Sequence, residues 1–298
     1  MPRPVPAPLL AWLDVLRCPQ CAAPLEAGDG LLRCTAGHSF DLARSGYVSL
    51  LGGGGAVSGD DDEMARARHR FLDTGAYDPL RTALADLALE TVPALAGTGG
   101  TGADVAHVPS VLDMGCGSGH YLATLLDRAP TARGLGVDTS ARSLRFTARA
   151  HDRAAAALGD VFSPFPLADS SVDVLLDVFA PRNPAEFARV LRPGGALLVA
   201  RPSPDHLAEL RAAVPGMVDV DAHKEERLHA ALDPHLTEIA RRELRVPLRL
   251  ASEVARDLVA MTPSARHVDA AALEERLGAD APALEVTLGV VLSAHRPR

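Results

Sequence analysis

Four side chains that could bind a metal ion lie close together near the start of the sequence. Cys18 and Cys21 form a Cys-x-x-Cys pair, Cys34 follows after twelve residues, and His38 follows after three more. Two cysteine-bearing turns at this separation can place four ligands around a tetrahedral Zn²⁺. Because four ligands leave no open position, the spacing predicts one structural zinc ion.

Two other interpretations of these cysteines stay open. They could be unrelated reduced thiols, or Cys18 and Cys21 could be a redox pair, although no strand precedes them as in a βαβ redox motif. A segment of about 40 residues buries too little surface to fold alone, and a bound metal would supply the missing stability. Residues 1–50 are therefore expected to form a small zinc-binding module.

A glycine-rich loop follows a short apolar run, 111–114, which predicts a strand. Gly115, Gly117 and Gly119 let the backbone pass close beneath a ligand at the carboxyl end of that strand. Their spacing is Gly-x-Gly-x-Gly, whereas a dinucleotide site would have Gly-x-Gly-x-x-Gly. The loop predicts a nucleotide-bearing cofactor, with a flavin- or NAD-binding domain as the alternative.

Acidic residues stand near the predicted strand ends around this loop. Asp113 directly precedes the first glycine motif, and Asp138 ends the next strand, 23 positions after Gly115. A carboxylate at the position of Asp138 can accept hydrogen bonds from two ribose hydroxyls. Asp160 follows the next predicted strand end, where it could meet an adenine edge.

The elements that must position these residues alternate between apolar runs and helical patterns from residue 108 onward. This alternation predicts an α/β fold with a parallel sheet covered on both faces. A Pro193-Gly194-Gly195 turn is expected before the fourth strand, and a final strand, 284–292, is expected to join the sheet at an antiparallel edge region. The predicted strands are 111–114, 134–138, 172–178 and 196–200, and the predicted helices are 121–128, 140–150 and 184–191.

The chain divides into three predicted regions: 1–50, 51–107 and 108–298. In the middle region, the glycine run 52–55 and the acidic run 60–63 predict a linker or mobile loop, as does the glycine-rich segment 97–102. Apolar residues at three- and four-residue spacing predict helix over 63–90.

Composition excludes several classes of protein. The chain has 298 residues, 47% of them hydrophobic, which suits a globular protein, and no apolar run approaches the roughly 18 residues of a membrane span. Asp14 interrupts the N-terminal apolar stretch, so a signal peptide is not predicted and a cytoplasmic location is expected. The net charge of −8 argues against nucleic-acid binding by bulk electrostatics but leaves room for a local basic patch.

The glycine loop, the acidic strand ends and the Pro193–Gly195 turn together resemble class I S-adenosylmethionine-dependent methyltransferases over about residues 108–202. Taken with the zinc ligands, the chain resembles the zinc-containing 23S rRNA (guanine-N1)-methyltransferases, a group that includes tylosin-resistance enzymes. The matching segments are 18–21 with Cys34, 38–41, 46–48, 71–75, 77–80, 113–119, 179–181, 202–207 and 261–263.

This resemblance implies a Rossmann-like, mostly parallel sheet carrying a small N-terminal zinc-ribbon-like module, with S-adenosylmethionine as cofactor and residues 108–298 as the methyltransferase domain. It implies that Tyr77, Gly117, Ser118 and His206 border the cofactor. It also implies that the zinc module helps to hold a 23S rRNA hairpin near the peptide exit tunnel. The sequence does not report the oligomeric state.

Two features depart from the family pattern, and a third leaves the RNA contacts undecided. Ser118 stands where many members carry an acidic residue. Ser264-Ala265-Arg266 follow the 261–263 motif, where relatives often place aromatic residues. RNA contact would depend on N-terminal arginines, for which a merely solvated surface is an equally good interpretation: Arg17, Arg33, Arg44, Arg66, Arg68 and Arg70.

The implied reaction moves a methyl group from S-adenosylmethionine to N1 of a guanine, a modification associated in this family with macrolide resistance. The proton on N1 must leave, which requires a base or a donor that stabilises charge on O6. Asp177, at the end of the 172–178 strand, and Arg182, after the Phe179-Ala180-Pro181 turn, are the predicted catalytic residues, although Asp177 fits a structural cap equally well.

Three alternative functions remain open at this point. A small-molecule methyltransferase with an accessory zinc module would suit the acidic net charge. A non-enzymatic zinc-ribbon RNA-binding protein would not need the intact cofactor loop. Another RNA class, such as tRNA, would use the same chemistry.

Overall fold

A computed structural model describes residues 4–51, 59–97, 107–217, 224–278 and 281–298. The predicted glycine-rich segments 52–55 and 97–102 lie outside these residues, apart from Gly97. No helix in the described ranges has both the length and the apolar character needed to cross a bilayer.

The N-terminal region forms a small antiparallel sheet preceded by one helical turn, α1 (Ala7–Leu10). The sheet order is β1 (Leu25–Ala27), β2 (Leu31–Cys34) and β3 (Ser39–Asp41). Leu25 pairs with Cys34, and Leu32 pairs with Phe40.

The remaining strands form one eight-stranded sheet in the order β10-β11-β9-β8-β5-β6-β7-β4. All neighbours from β9 to β4 run parallel, whereas β11 is antiparallel to both β9 and β10. The strand order reverses between β5 and β8, which is where open α/β sheets bind ligands. The strands are β4 (Val48–Ser49), β5 (Ser110–Met114), β6 (Arg133–Asp138), β7 (Ala154–Leu158), β8 (Val172–Val178), β9 (Leu191–Pro202), β10 (Leu236–Leu250) and β11 (Leu284–Pro297).

Helices cover both faces of this sheet, as the alternating sequence pattern predicted. Two apolar cores result, one on each face; Leu176 belongs to the first, and Leu175 to the second. The helices are α2 (Asp62–Asp73), α3 (Asp78–Thr91), α4 (His120–Arg128), α5 (Leu144–Ala150), α6 (Pro184–Val190), α7 (Ala208–Ala213), α8 (Lys224–Leu232), α9 (Ser252–Ala260) and α10 (Ala270–Leu277), with 3₁₀ turns at Pro93–Ala96 and Pro263–Arg266.

One expectation for the middle region was wrong, and another was confirmed with a break in the helix. The acidic run 60–63 does not continue a mobile loop but begins α2, because the Asp61 side chain caps the helix by accepting the amide hydrogen of Met64 at 2.9 Å. The helical pattern over 63–90 is two helices, since the chain turns at Gly75, whose φ of +78° suits glycine.

The Pro193–Gly195 segment is a bulge within β9 and not a turn ahead of it. Val172 pairs with Leu191 and Val174 pairs with Ala196, so six residues of β9 (191–196) span the distance of three on β8 (172–174). The final strand is antiparallel as predicted, but it continues to Pro297 and lies inside the sheet, because β10 forms the edge.

Candidate functional site

The four predicted metal ligands converge at one end of the small N-terminal sheet. The Nδ1 atom of His38 lies 3.5 Å from the sulfur of Cys18 and 3.5 Å from that of Cys34, and the sulfurs of Cys21 and Cys34 are 3.7 Å apart. A tetrahedral zinc site would separate two sulfurs by about 3.8 Å and a sulfur from a nitrogen by about 3.6 Å. The side chains therefore fit a zinc ion without rearrangement.

The local backbone prepares Cys34 for metal binding. Desolvation raises the pKa of its thiol, but hydrogen bonds from the backbone amides of His38 and Ala36, with those from Cys21 and Cys18, outweigh this effect and lower the pKa to about 6. A thiolate is the form that binds zinc. Gly37, with a φ of +89°, makes the tight turn that returns the chain from Cys34 to His38.

The glycine loop lies between the end of β5 and the start of α4. The φ angles of Gly115, Gly117 and Gly119 are +78°, +53° and +83°, a region that favours glycine. A Cβ atom at Gly115 would lie 2.6 Å from the Cβ of Ala180, and one at Gly117 would lie 3.0 Å from Arg68. Side chains here would close the space beside the loop.

Asp138 ties the loop to the end of β6. Its two carboxylate oxygens accept the amide hydrogens of Gly117 at 2.8 Å and of Ser140 at 2.7 Å. Burial raises the pKa of this carboxyl group, while the two amide hydrogen bonds oppose the rise. Each oxygen keeps a second lone pair, so the group can still accept hydrogen bonds from a ligand.

Asp113 lies behind the loop, 1% exposed, and its Oδ2 atom has no hydrogen-bond partner. Burial, together with the nearby charges of Asp138 and Asp177, raises its pKa to about 8. An orphaned buried oxygen of this kind marks a position where a ligand group could complete the hydrogen bonding.

A cleft of about 530 Å³ opens at the carboxyl edge of the sheet, beside β5, β6 and β8. This volume lies within the range of cofactor sites. Six of the predicted cofactor residues line it, and three, Asp113, Ser118 and Gly119, lie behind its wall. The lining six are Tyr77, Gly115, Gly117, Asp138, Asp160 and His206.

Arg68 lines the cleft as well, although the sequence placed it among candidate RNA contacts. Its Nε atom donates to Asp60 Oδ2 at 2.7 Å, and its Nη2 atom donates to the carbonyl oxygen of Met261 at 2.7 Å. The guanidinium thus joins α2 to α9 across the cleft and brings a positive charge to its wall. Nothing in the sequence pattern distinguished Arg68 from its neighbours, because only the packing of α2 reveals its direction.

Three aromatic rings meet on one side of the cleft. Tyr77 is 2% exposed, and its ring centroid lies 6.5 Å from that of His206, which in turn lies 5.7 Å from that of Phe179. Phe179 has a φ of +55° and is 38% exposed, so a strained backbone presents its ring to the cleft.

The predicted catalytic pair, Asp177 and Arg182, lies outside the lining of the cleft. Asp177 is completely buried, and its Oδ1 atom lies 3.1 Å from Nε of Arg182, whose side chain is 16% exposed. This ion pair spans the turn that carries Phe179, which favours a role in positioning that turn.

Of the other arginines considered as RNA contacts, those on α2 are partnered within the chain. Arg66 pairs with Asp62, and Arg70 pairs with Asp257 and Glu63. In the N-terminal region, Arg33 and Arg44 are exposed. Arg17 is half-buried and donates to the carbonyl oxygens of Asp14 and Leu16, so Arg33 and Arg44 are the exposed candidates of this region.

Comparison with known proteins gives two family matches and several long relatives. The family described as RlmA, N-terminal matches residues 16–52, and that described as Methyltransferase domain matches residues 111–195. A 23S rRNA (guanine(748)-N(1))-methyltransferase of Streptomyces fradiae is 44% identical over 283 residues, which cover 95% of this chain and 96% of the relative. A Micromonospora griseorubida protein named for 23S rRNA (guanine-N(1)-) methylation is 46% identical over 290 residues, which cover 96% of this chain and 98% of the relative. A Bacillus subtilis protein named for the same activity is 35% identical over 210 residues, which cover 66% of this chain and 68% of the relative.

Proposed function

Since this chain belongs to the family of zinc-containing 23S rRNA (guanine-N1)-methyltransferases, we propose that it transfers a methyl group from S-adenosylmethionine to N1 of a guanine in 23S rRNA. The observation that carries the proposal is the presence, in one chain, of a complete zinc-ligand set and a glycine-lined cleft at the reversal point of the sheet. A small-molecule methyltransferase would not need the first of these, and a purely RNA-binding protein would not need the second.

The residues around the cleft suit S-adenosylmethionine, which supplies an activated methyl group when bound. Asp138 is placed to accept hydrogen bonds from the ribose hydroxyls, and Asp160 lies nearby for the adenine edge. The Arg68 guanidinium offers a partner for the carboxylate of the donor. Asp113 lies behind the wall of the cleft, so it would act on the donor only through the glycine loop.

The acceptor guanine would enter from the side of the aromatic rings. A loop guanine that has left its stack can lie against an exposed aromatic ring, and Phe179 presents such a ring. The imidazole of His206, between Phe179 and Tyr77, would receive the N1 proton. Arg182 could donate to O6 only after its guanidinium turns from Asp177 toward the cleft.

The finer parts of the proposal concern the target. The name of the Streptomyces fradiae relative specifies guanine 748, and we extend that position to this chain. We also propose that the target lies in a hairpin near the peptide exit tunnel, that the exposed N-terminal arginines help to hold it, and that its methylation confers resistance to tylosin-type macrolides.

Primer extension on 23S rRNA from cells with and without this gene tests the proposal. A methyl group on N1 blocks Watson–Crick pairing, so reverse transcriptase should stop one nucleotide before the modified guanine only where the gene is present. Cells that carry the Asp138→Asn variant serve as the control for donor-dependent activity. No gene-dependent stop in 23S rRNA would refute the activity, whereas a stop at another guanine would refute only the choice of position 748.

A further inference from the structure

A second group of potential metal ligands lies outside the zinc module. His69 and Asp73 are four residues apart on α2, and His120 is the first residue of α4. One ligand atom from each lies within 4.8 Å of the other two. Spacing of four residues places two side chains on one helix face, so α2 presents His69 and Asp73 together toward the N-terminus of α4.

The distances suit a small divalent ion. Nε2 of His120 lies 2.9 Å from Oδ1 of Asp73, and Nε2 of His69 lies 3.5 Å from Oδ2 of Asp73. With metal–ligand bonds of about 2.0–2.2 Å, neighbouring ligands of a tetrahedral ion are about 3.3–3.5 Å apart. Small rotations of the His69 and Asp73 side chains would complete the tetrahedral geometry. Their fractional exposures, 36% for His69 and 60% for Asp73, leave room for such rotations.

Neighbouring groups hold both imidazoles in place. Nδ1 of His120 lies 2.9 Å from the hydroxyl oxygen of Ser118, and if Nδ1–H donates there, Nε2 turns its lone pair toward the group. The ring of His69 stacks on Phe146, with centroids 4.2 Å apart. Such outer contacts are typical of histidine ligands, because they fix the tautomer and the ring orientation.

The charges around the three ligands leave a net negative charge that favours a bound cation. Asp73 contributes one negative charge, and the nearby Arg81 is neutralised by its ion pair with Asp78. The side chain of His120 is 10% exposed, whereas Asp73 faces solvent, so water can fill further coordination positions. Two imidazoles and one carboxylate favour a first-row transition ion over magnesium or calcium, which prefer oxygen ligands.

We propose that His69, Asp73 and His120 form a second metal site, separate from the zinc ribbon, that binds a divalent transition ion such as Zn²⁺, Co²⁺ or Ni²⁺. When the ion is bound, the single proton of the neutral His120 ring is on Nδ1, where the Ser118 hydroxyl oxygen accepts it, and Nε2 gives its lone pair to the metal. The bound ion would fasten α2, which lines the cleft through Arg68, to the helix that follows the glycine loop.

Titration of Co²⁺ into the full chain, with its zinc ribbon already loaded with zinc, tests the site. Cobalt bound to nitrogen and oxygen ligands gives weak visible bands and none of the intense thiolate charge-transfer absorption of a cysteine site. We expect one such ion per chain in the wild type and at least about tenfold weaker binding in His69→Ala and Asp73→Asn.

A matched control is available at the end of α8, where His229 and the following Asp233 have the same spacing but join no three-ligand group among the described residues. His229→Ala should bind cobalt as tightly as the wild type. Circular dichroism verifies that each variant is folded. The proposal is overturned if the wild type gives no nitrogen- and oxygen-type spectrum, or if both ligand variants bind cobalt as tightly as the wild type.

Discussion

The carboxyl group of Asp113 is buried behind the glycine loop, where desolvation and the charges of Asp138 and Asp177 raise its pKa to about 8. In the unfolded chain the pKa of aspartate is about 3.9, so the native state holds a proton that the unfolded state has lost. The contribution of this group to stability is therefore complete below about pH 4 and is lost as the pH rises toward about 8.

Replacing Asp113 with Asn should remove this pH dependence. Between about pH 5 and pH 7 the free energy of unfolding of the wild type should fall, relative to that of the variant, by up to about 1.4 kcal/mol per pH unit. Urea unfolding of both proteins at several pH values measures the difference. Parallel curves over that range would show that the native carboxyl group titrates at its ordinary pKa.

Unlike Asp113, Asp138 has a hydrogen bond at both carboxylate oxygens, since each oxygen accepts a backbone amide hydrogen. The Asp138→Asn side chain has the same shape but only one acceptor oxygen, so either the loop or the ribose would lose a partner. We expect the affinity for S-adenosylmethionine to fall by at least about tenfold, as for the loss of a charged hydrogen bond. Calorimetry on this variant and on Asp152→Asn, an exposed control, measures the effect; equal affinities would remove Asp138 from the donor site.

At the scale of elements, the strands with strong apolar patterns were predictable and the edges of the sheet were not. The predicted strand at 172–178 coincides with β8, which is buried along its whole length. β10 escaped prediction because it is an edge strand rich in charged residues, with Arg241, Arg242 and Glu243 exposed in succession. β4 has only two residues, and its pairing with β7 depends on the packing of the N-terminal region against the sheet.

That packing rests partly on Trp12, which is fully buried and whose indole Nε1–H donates to the carbonyl oxygen of Gly134 in β6 at 3.0 Å. Trp12→Phe would leave this carbonyl without its buried partner and create a small void. We expect the free energy of unfolding to fall by about 1–3 kcal/mol. Chemical denaturation should show this loss, while Leu10→Ala, at a residue 43% exposed, should change stability little. A Trp12→Phe variant as stable as the wild type would mean that this contact does not hold the two regions together.

At the scale of the whole molecule, motifs with fixed spacing predicted where chemistry gathers, but not every participant. The four zinc ligands meet because short turns bring them together, and the spacing alone carries that information. Arg68, Phe179 and the group of His69 with His120 depend instead on contacts between elements far apart in sequence. No local pattern could have indicated them, because a helix shows which residues share a face but not what that face meets.

The separation between the zinc ligands and the cleft leads to a prediction for the intact enzyme. The described residues that line the cleft all lie from Gly59 onward, whereas every zinc ligand precedes it. Removal of zinc should therefore unfold the small sheet of β1–β3, which has too little core to stand alone, and leave the donor cleft largely intact. We expect a zinc-depleted chain, or a Cys34→Ser variant, to bind S-adenosylmethionine within about threefold of the wild-type affinity, a difference below about 0.7 kcal/mol.

The same protein should lose most of its methylation of 23S rRNA, since the proposed RNA contacts on the N-terminal module would no longer be held in place. Calorimetry measures donor binding, and transfer of labelled methyl groups to rRNA measures activity. Returning zinc to the depleted wild type should restore methylation, whereas the Cys34→Ser variant should not recover. Full activity without zinc would separate the module from RNA recognition, and parallel loss of donor binding would show that the metal supports the whole fold.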